Sequence, residues 1–290
     1  MEQNVITSVL LPLALGIIML GLGLSLTTAD FKRVIVYPKA VAIGLVCQML
    51  VLPFVCLGIA HAFDLRPELA VGLMLLAASP GGATANLFSH LAKGDVALNI
   101  TLTAVNSVLS LVTLPLIVNL SLEHFLGEGK AIPLQLGKVI SVVAVVLVPV
   151  AIGMFVRSRK PSAADALDKP VRILSAVFLL LVIGSAIANE RANIGTYFRE
   201  VGIAALAFNV ASMVVGYAIP RLARVERKQA VAIGMEIGIH NGTLAIAIAS
   251  SPQLLNNGTM AVPPAIYSLI MFFTAAAFGV FVARKDRVRS

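Results

Sequence analysis

Long apolar runs fill this chain, and short basic turns punctuate them at a spacing close to the width of a membrane. Roughly 20 apolar residues cross a hydrocarbon core once. On that scale the pattern predicts about nine transmembrane helices, near 5–28, 34–60, 68–92, 96–120, 134–156, 170–189, 199–221, 229–250 and 260–283. Two of these runs carry their own breakers. In 68–92, Pro80 removes a backbone donor while Gly81 and Gly82 free the dihedrals, so the span breaks near its middle. In 229–250, glycine recurs at Gly234, Gly238 and Gly242 beside Asn241. Each glycine disfavours a helix interior by about 1 kcal/mol relative to alanine, so this span is also read as interrupted. Broken spans at corresponding places in two halves point to a transporter's binding site.

The fourth run carries a polar stripe. Asn99, Thr103, Asn106, Ser110 and Thr113 follow one another at intervals of four, three, four and three, which is one face of a helix. Such a face turns toward protein or water rather than lipid. It serves either as hydrogen-bond glue between helices or as a set of oxygen ligands.

Composition settles the class. Of 290 residues 59% are hydrophobic and 12% charged, with a mean hydropathy of +0.96, which describes an all-α polytopic membrane protein and not a soluble domain. The formal charge of +8 does not indicate nucleic acid, because the basic residues sort by side. Seventeen of the 22 Lys and Arg fall in the turns of one face (32–39, 93, 157–172, 221–228 and 284–289) and five on the other. Positive charge collects on the cytoplasmic side, so the chain is read as a multi-pass protein of the cell (inner) membrane, N-terminus outside and C-terminus cytoplasmic. A polar loop is expected at 121–132, and the charged connection 157–170 is expected to join two halves, 1–156 and 157–290, of a single transporter domain. The halves read as inverted repeats, with four spans in the first and five in the second.

Of the 14 acidic residues, only Glu236 lies deep within a predicted span. A charge at that depth costs a few kcal/mol or more unless it is paired or lines a wet cavity. His240 and Asn241 follow closely. One reading is a Glu236–His240 pair, a helical turn apart, that holds helices together; the other is a functional site. Nothing here suggests an enzyme, since the double histidine of a zinc protease and a Ser/His/Asp trio are both missing from the pattern. Cys47 and Cys56 stand nine residues apart on one predicted helix, about 13.5 Å of rise, too far for a disulfide between them. Gln48 precedes Pro53 by five residues and reads as an interhelical hydrogen bond or a ligand.

At its two broken spans the chain resembles the bile acid:sodium symporter family, as a bacterial-type member. The likeness rests on Pro80-Gly-Gly-Ala-Thr-Ala-Asn86, then Lys93-Gly-Asp-Val-Ala-Leu-Asn99 with Thr103, then Glu236-Ile-Gly-Ile-His-Asn241, with Leu26-Thr-Thr-Ala-Asp-Phe31 upstream. The resemblance implies core and panel domains built from inverted repeats, with two discontinuous helices that cross. It implies a secondary active transporter that couples sodium to symport of a small organic anion, bile-acid-like or a carboxylate metabolite, by alternating access. One sodium site would draw on Asn86, Asn99, Thr103 and Glu236. A second would draw on Gln48, Glu236, the carbonyls of Ile237 and Ile239, and His240. Substrate would meet the half-helix N-termini at Ala83, Thr84, Asn241, Gly242 and Thr243, where positive dipole ends favour an anion. The alternative on the same architecture is a proton-coupled carrier or cation/proton antiporter that uses Glu236 and His240. Three positions depart from the family pattern: Ala85 and Asn99 stand where serine is usual, and His240 replaces glutamine. The expected partners are the organic anion, sodium and the lipid bilayer, and a monomer suffices for them.

The charge asymmetry sets a test of orientation. Reporter fusions at the two termini should place the N-terminus outside and the C-terminus in the cytoplasm; two cytoplasmic termini would mean an even number of spans and would undo the pairing of halves.

Overall fold

The computed structural model describes residues 11–127, 136–189, 194–251 and 254–287. Lys130, Arg191 and Arg289 of the charge pattern, and the N-terminus, lie outside these. The described residues form helices and one isolated antiparallel bridge, between Gly81 and His240. In order they are α1 (Leu11–Ser25), α2 (Thr28–Lys32), α3 (Pro38–Val46), α4 (Leu52–Ala62), α5 (Pro67–Ala78), α6 (Ala83–Leu91), α7 (Val96–Leu126), α8 (Leu136–Arg159), α9 (Pro161–Asn189), α10 (Ile194–Leu222), α11 (Arg227–Gly238), α12 (Gly242–Ser250) and α13 (Gly258–Arg287). A π turn, Cys47–Val51, joins α3 to α4.

Four helices among the described residues are long and apolar enough to cross a membrane alone: Pro38–Ala62, Val96–Leu126, Gly195–Leu222 and Gly258–Val282. Large apolar side chains such as Val112 and Phe273 are 73% and 79% exposed, as a lipid-facing surface requires. The protein is an all-α, multi-pass membrane protein.

Two connections differ from the sequence expectation. The 121–132 stretch is not all loop, because α7 runs on to Leu126 before Gly127 turns out at φ 84°. Ser121 lies within this helix and donates its hydroxyl to the Ile117 carbonyl one turn back. The 157–170 stretch is helical on both sides of Lys160, with α9 starting at Pro161 and continuing through Pro170. Proline at a first helical position costs no hydrogen bond, and the alanines and leucine that follow are good helix formers. Arg157 closes the turn, donating to the Leu24 carbonyl at 2.6 Å and to Asp165 at 2.5 Å.

The helices sort into two packing groups. α1, α8 and α9 pack on one another, while α3 to α7 and α10 to α13 pack around the bridge. Contact within each group is close where glycine lets backbones meet. A Cβ at Gly23 of α1 would lie 2.2 Å from the Val150 carbonyl oxygen of α8, and one at Gly72 of α5 would lie 2.3 Å from that of Met260 in α13.

Gly72→Ala should therefore destabilise the protein, by about 1–3 kcal/mol for a methyl forced against rigid backbone. Gly58 has nothing within 4 Å of its Cβ position, so Gly58→Ala should be neutral or raise stability by up to about 1 kcal/mol. Thermal unfolding of the two variants in one detergent gives the comparison; equal midpoints would show that the α5–α13 contact is not tight.

Candidate ion and substrate site

The site starts from two interruptions of helix. Ser79 leaves α5 at φ −75°, ψ 145°, Pro80 has no N–H to offer, and Gly82 is extended at φ −89°, ψ 158°. In the second half Ile239 leaves α11 at φ −115°, ψ 86°, and α12 begins at Gly242. The two extended segments lie antiparallel against each other. The Gly82 N–H donates to the Ile239 carbonyl at 2.9 Å, and the Asn241 N–H donates to the Pro80 carbonyl at 2.9 Å. In surroundings without water, each break thus supplies the partners that the other lacks.

Glu236, in the last turn of α11, is fully buried. Thr103 donates its hydroxyl to Oε2 at 2.6 Å and Asn106 donates Nδ2 to Oε1 at 3.4 Å, both from α7. Its side-chain partners among the described residues are therefore neutral. The carboxylate rests on the bare backbone of the first break, where a Cβ at Gly81 would lie 2.3 Å from Oε1. The Glu236–His240 pair of a continuous helix does not form, because the chain leaves α11 between them. His240 turns instead to Ser79, with Nδ1 3.2 Å from the Ser79 carbonyl. A carbonyl only accepts, so Nδ1 carries the proton and Nε2 keeps the lone pair. Phe208 stacks on the imidazole at 5.6 Å and Tyr267 meets it edge-on at 5.5 Å.

Gln48 reaches the same carbonyl. Pro53 cannot donate into the helix before it, and there the Leu52 N–H reaches back five residues to the Cys47 carbonyl, widening one turn. Such π turns recur at functional sites. From this turn Gln48 donates Nε2 to the carbonyls of Ala77 and Ser79 at 3.1 and 3.0 Å, satisfying the end of α5.

Several buried oxygens around the crossing accept nothing. They are Gln48 Oε1, Asn86 Oδ1, Ser89 Oγ, Asn99 Oδ1, Asn106 Oδ1 and Asn209 Oδ1, and His240 Nε2 joins them. Asn99 shows how this arises, because its Nδ2 is committed to the Ala232 carbonyl at 2.8 Å and its oxygen is left over. A buried acceptor without a donor is costly, and a hard cation is the ligand that oxygen donors of this kind suit. The residues present fit such an ion.

The expected substrate contacts are distributed as follows. Ala83 opens α6, and Thr84 beside it is exposed. Asn241 caps α12 by accepting from the Leu244 N–H at 3.0 Å, which takes one donor from that helix start. Gly242 is buried, its Cβ position 1.9 Å from Ser268 Oγ, and Thr243 is half-buried. Beside the first break, between the π turn and α7, Gln48, Pro80, Asn106, Ser110 and Thr113 come together without leaving room for a small molecule.

Asn209 and Tyr267 escaped the sequence reading. Asn209 Nδ2 and the Tyr267 hydroxyl both donate to the Gly238 carbonyl, at 3.0 and 2.9 Å, and so satisfy the end of α11. A lone asparagine in the apolar run 199–221 was the available signal. Ser89, with its buried hydroxyl, had none beyond its place one turn after Asn86.

Comparison with known proteins agrees with this architecture. A protein of Bacillus subtilis described as an uncharacterized sodium-dependent transporter, YocS, is 29% identical over 276 residues, covering 93% of this chain and 82% of its own. The human ileal sodium/bile acid cotransporter is 26% identical over 288 residues, 97% of this chain and 81% of its own. A probable chloroplastic sodium/metabolite cotransporter of Oryza sativa subsp. japonica, BASS2, is 27% identical over 273 residues; this chain spans 94% of itself there but 63% of that longer protein. The profile of the Sodium Bile acid symporter family matches residues 12–197. With that match over more than half its length, and with its helices broken and crossed at a buried carboxylate, the chain belongs to the sodium bile acid symporter family, whose members are transporters and not enzymes.

Proposed function

We propose that this protein is a sodium-coupled symporter of a small organic anion in the cell membrane, with its N-terminus outside. The observation that carries the reading is Glu236, a buried carboxylate with neutral partners, set on the crossing of two broken helices among oxygens that accept nothing. Two relatives bear sodium cotransport in their printed names, which supports the choice of ion. A first sodium is assigned to Asn86, Asn99, Thr103 and Glu236, with Ser89 as an added oxygen. A second is assigned to Gln48, Glu236, His240 and the carbonyls of Ile237 and Ile239. The anion is assigned to the starts of α6 and α12, around Ala83, Thr84, Asn241, Gly242 and Thr243. The group α1, α8 and α9 is the panel and the rest the core, and the halves 1–156 and 157–290 are inverted repeats. The reciprocal hydrogen bonds of the crossing support that symmetry. Rocking of core against panel would expose the site to each side in turn.

Loss of the carboxylate gives the direct test. Removing one partner from a buried charge interaction costs on the order of 3–5 kcal/mol, so Glu236→Ala should lower sodium affinity at least about 100-fold and abolish sodium-driven uptake. Thr103→Ala, which deletes a hydrogen bond to a charged group worth about 1.5–3 kcal/mol, should weaken sodium about tenfold or more. Gly81→Ala should also lose uptake, because its methyl occupies the place of the carboxylate. Uptake by an inserted Glu236→Ala protein at wild-type rate and sodium dependence would reduce the carboxylate to a structural role.

His240 favours a second reading for the second site. Its Nδ1–H is committed to Ser79 and its Nε2 offers nitrogen, a donor suited to softer metals than sodium, so a proton can stand in for the second ion. Wild-type uptake should therefore rise with sodium with a Hill coefficient near one, and His240→Gln, which restores an amide oxygen, should raise it toward two. A wild-type coefficient near two that the substitution leaves unchanged would show both sodium sites working without help from residue 240.

A further inference from the structure

His61 and His124 take no part in the crossing. His61 lies in the last turn of α4 and His124 in the last turn of α7, both exposed, and α5 packs against both helices. Their Nε2 atoms stand 2.8 Å apart, with ring planes at 89° and centroids separated by 5.1 Å. Phe125 walls one side of the pair, its ring 5.3 Å from His61 and 4.8 Å from His124. Without a metal, one of the facing nitrogens donates a hydrogen and the other accepts it.

The 2.8 Å between the Nε2 atoms is the length of their hydrogen bond, and it places two imidazole nitrogens within reach of one ion. Imidazole suits copper, nickel and zinc. Among the described residues no third His, Cys, Asp or Glu joins the pair. Copper binds such nitrogen sites most tightly of the first-row divalent metals.

We propose that His61 and His124 form a two-point site for divalent copper, and more weakly nickel, that bridges the ends of α4 and α7 over α5. The ring that donates the shared hydrogen moves it to its own Nδ1, so that both Nε2 lone pairs face the metal and no net proton is released. Each ring then turns off the Nε2–Nε2 line so that the two lone pairs meet at one point beside Phe125. The bound ion then ties the end of α4, which follows the π turn that carries Gln48, to the end of α7, whose first turn carries Asn99.

The test uses the purified full chain in detergent, without a polyhistidine tag, titrated with copper chloride. Thermal unfolding and the copper electron paramagnetic resonance spectrum are both followed. One copper per chain, hyperfine structure from two imidazole nitrogens and a raised melting temperature are expected. His61→Ala and His124→Ala should each weaken copper at least ~tenfold, since a lone imidazole loses the advantage of a tethered second ligand. His90→Ala should leave binding unchanged, because His90 closes α6 and stands apart from the pair. Wild-type affinity in both single variants, a one-nitrogen spectrum, or the same loss in His90→Ala would overturn the assignment.

Discussion

Unwound backbone inside an apolar slab must find hydrogen bonds without water, and the crossing depends on how that demand is met. Two reciprocal bonds, Gly82 to Ile239 and Asn241 to Pro80, pair the breaks with each other. Neither half can hold its own break open alone, because each unpaired buried group costs about 1–3 kcal/mol. The remaining helix ends are satisfied from outside the broken pair, by Gln48 at the end of α5 and by Asn209 and Tyr267 at the end of α11. The break is thus a built element held from three further spans, through the π turn, α10 and α13, not a weak point in two.

Glu236 depends on this frame. Its carboxylate fits only because the first break brings bare backbone at Gly81 beneath it and α7 brings Thr103 and Asn106 from the side. α7 itself is placed by Asp95, which caps it through the Leu98 N–H at 3.0 Å and whose own N–H is held by the Lys228 carbonyl at the start of α11. The turn after α6 and the beginning of α11 are therefore linked to the register of the helix that carries the polar stripe. Charge, bare backbone and side-chain donors come from three separate stretches of chain.

The membrane class and the family were legible in the sequence, because apolar length and a few motifs in order are local or nearly local signals. Proline and glycine announced where helices lose hydrogen bonds, for the same reason. What the sequence hid is long-range. Spacing showed that Asn99, Thr103 and Asn106 share a face but not that Thr103 meets Glu236 across 133 residues. A four-residue interval suggested that Glu236 and His240 touch, and the break between them sends His240 to Ser79. Polarity also misled at 121–132 and 157–170, where 121–126 and the residues on both sides of Lys160 are helical although they look like loop. Asn209 gave no periodic signal, since one asparagine in an apolar run has no pattern to join.

The π turn at Cys47–Val51 amounts to one extra residue threaded into a helix. Past it, every side chain of α4 is rotated by about 100° relative to where an unbroken α3 would have put it. The extra residue therefore keeps one face of the span buried throughout: Ala40, Val41 and Gly44 before the turn, and Leu52, Pro53, Cys56 and Ala60 after it. A single-residue deletion here would leave the hydropathy profile intact while swinging one half of the span to the wrong neighbours. The span's length in residues, and not only its composition, is part of what aims Gln48 at the first break.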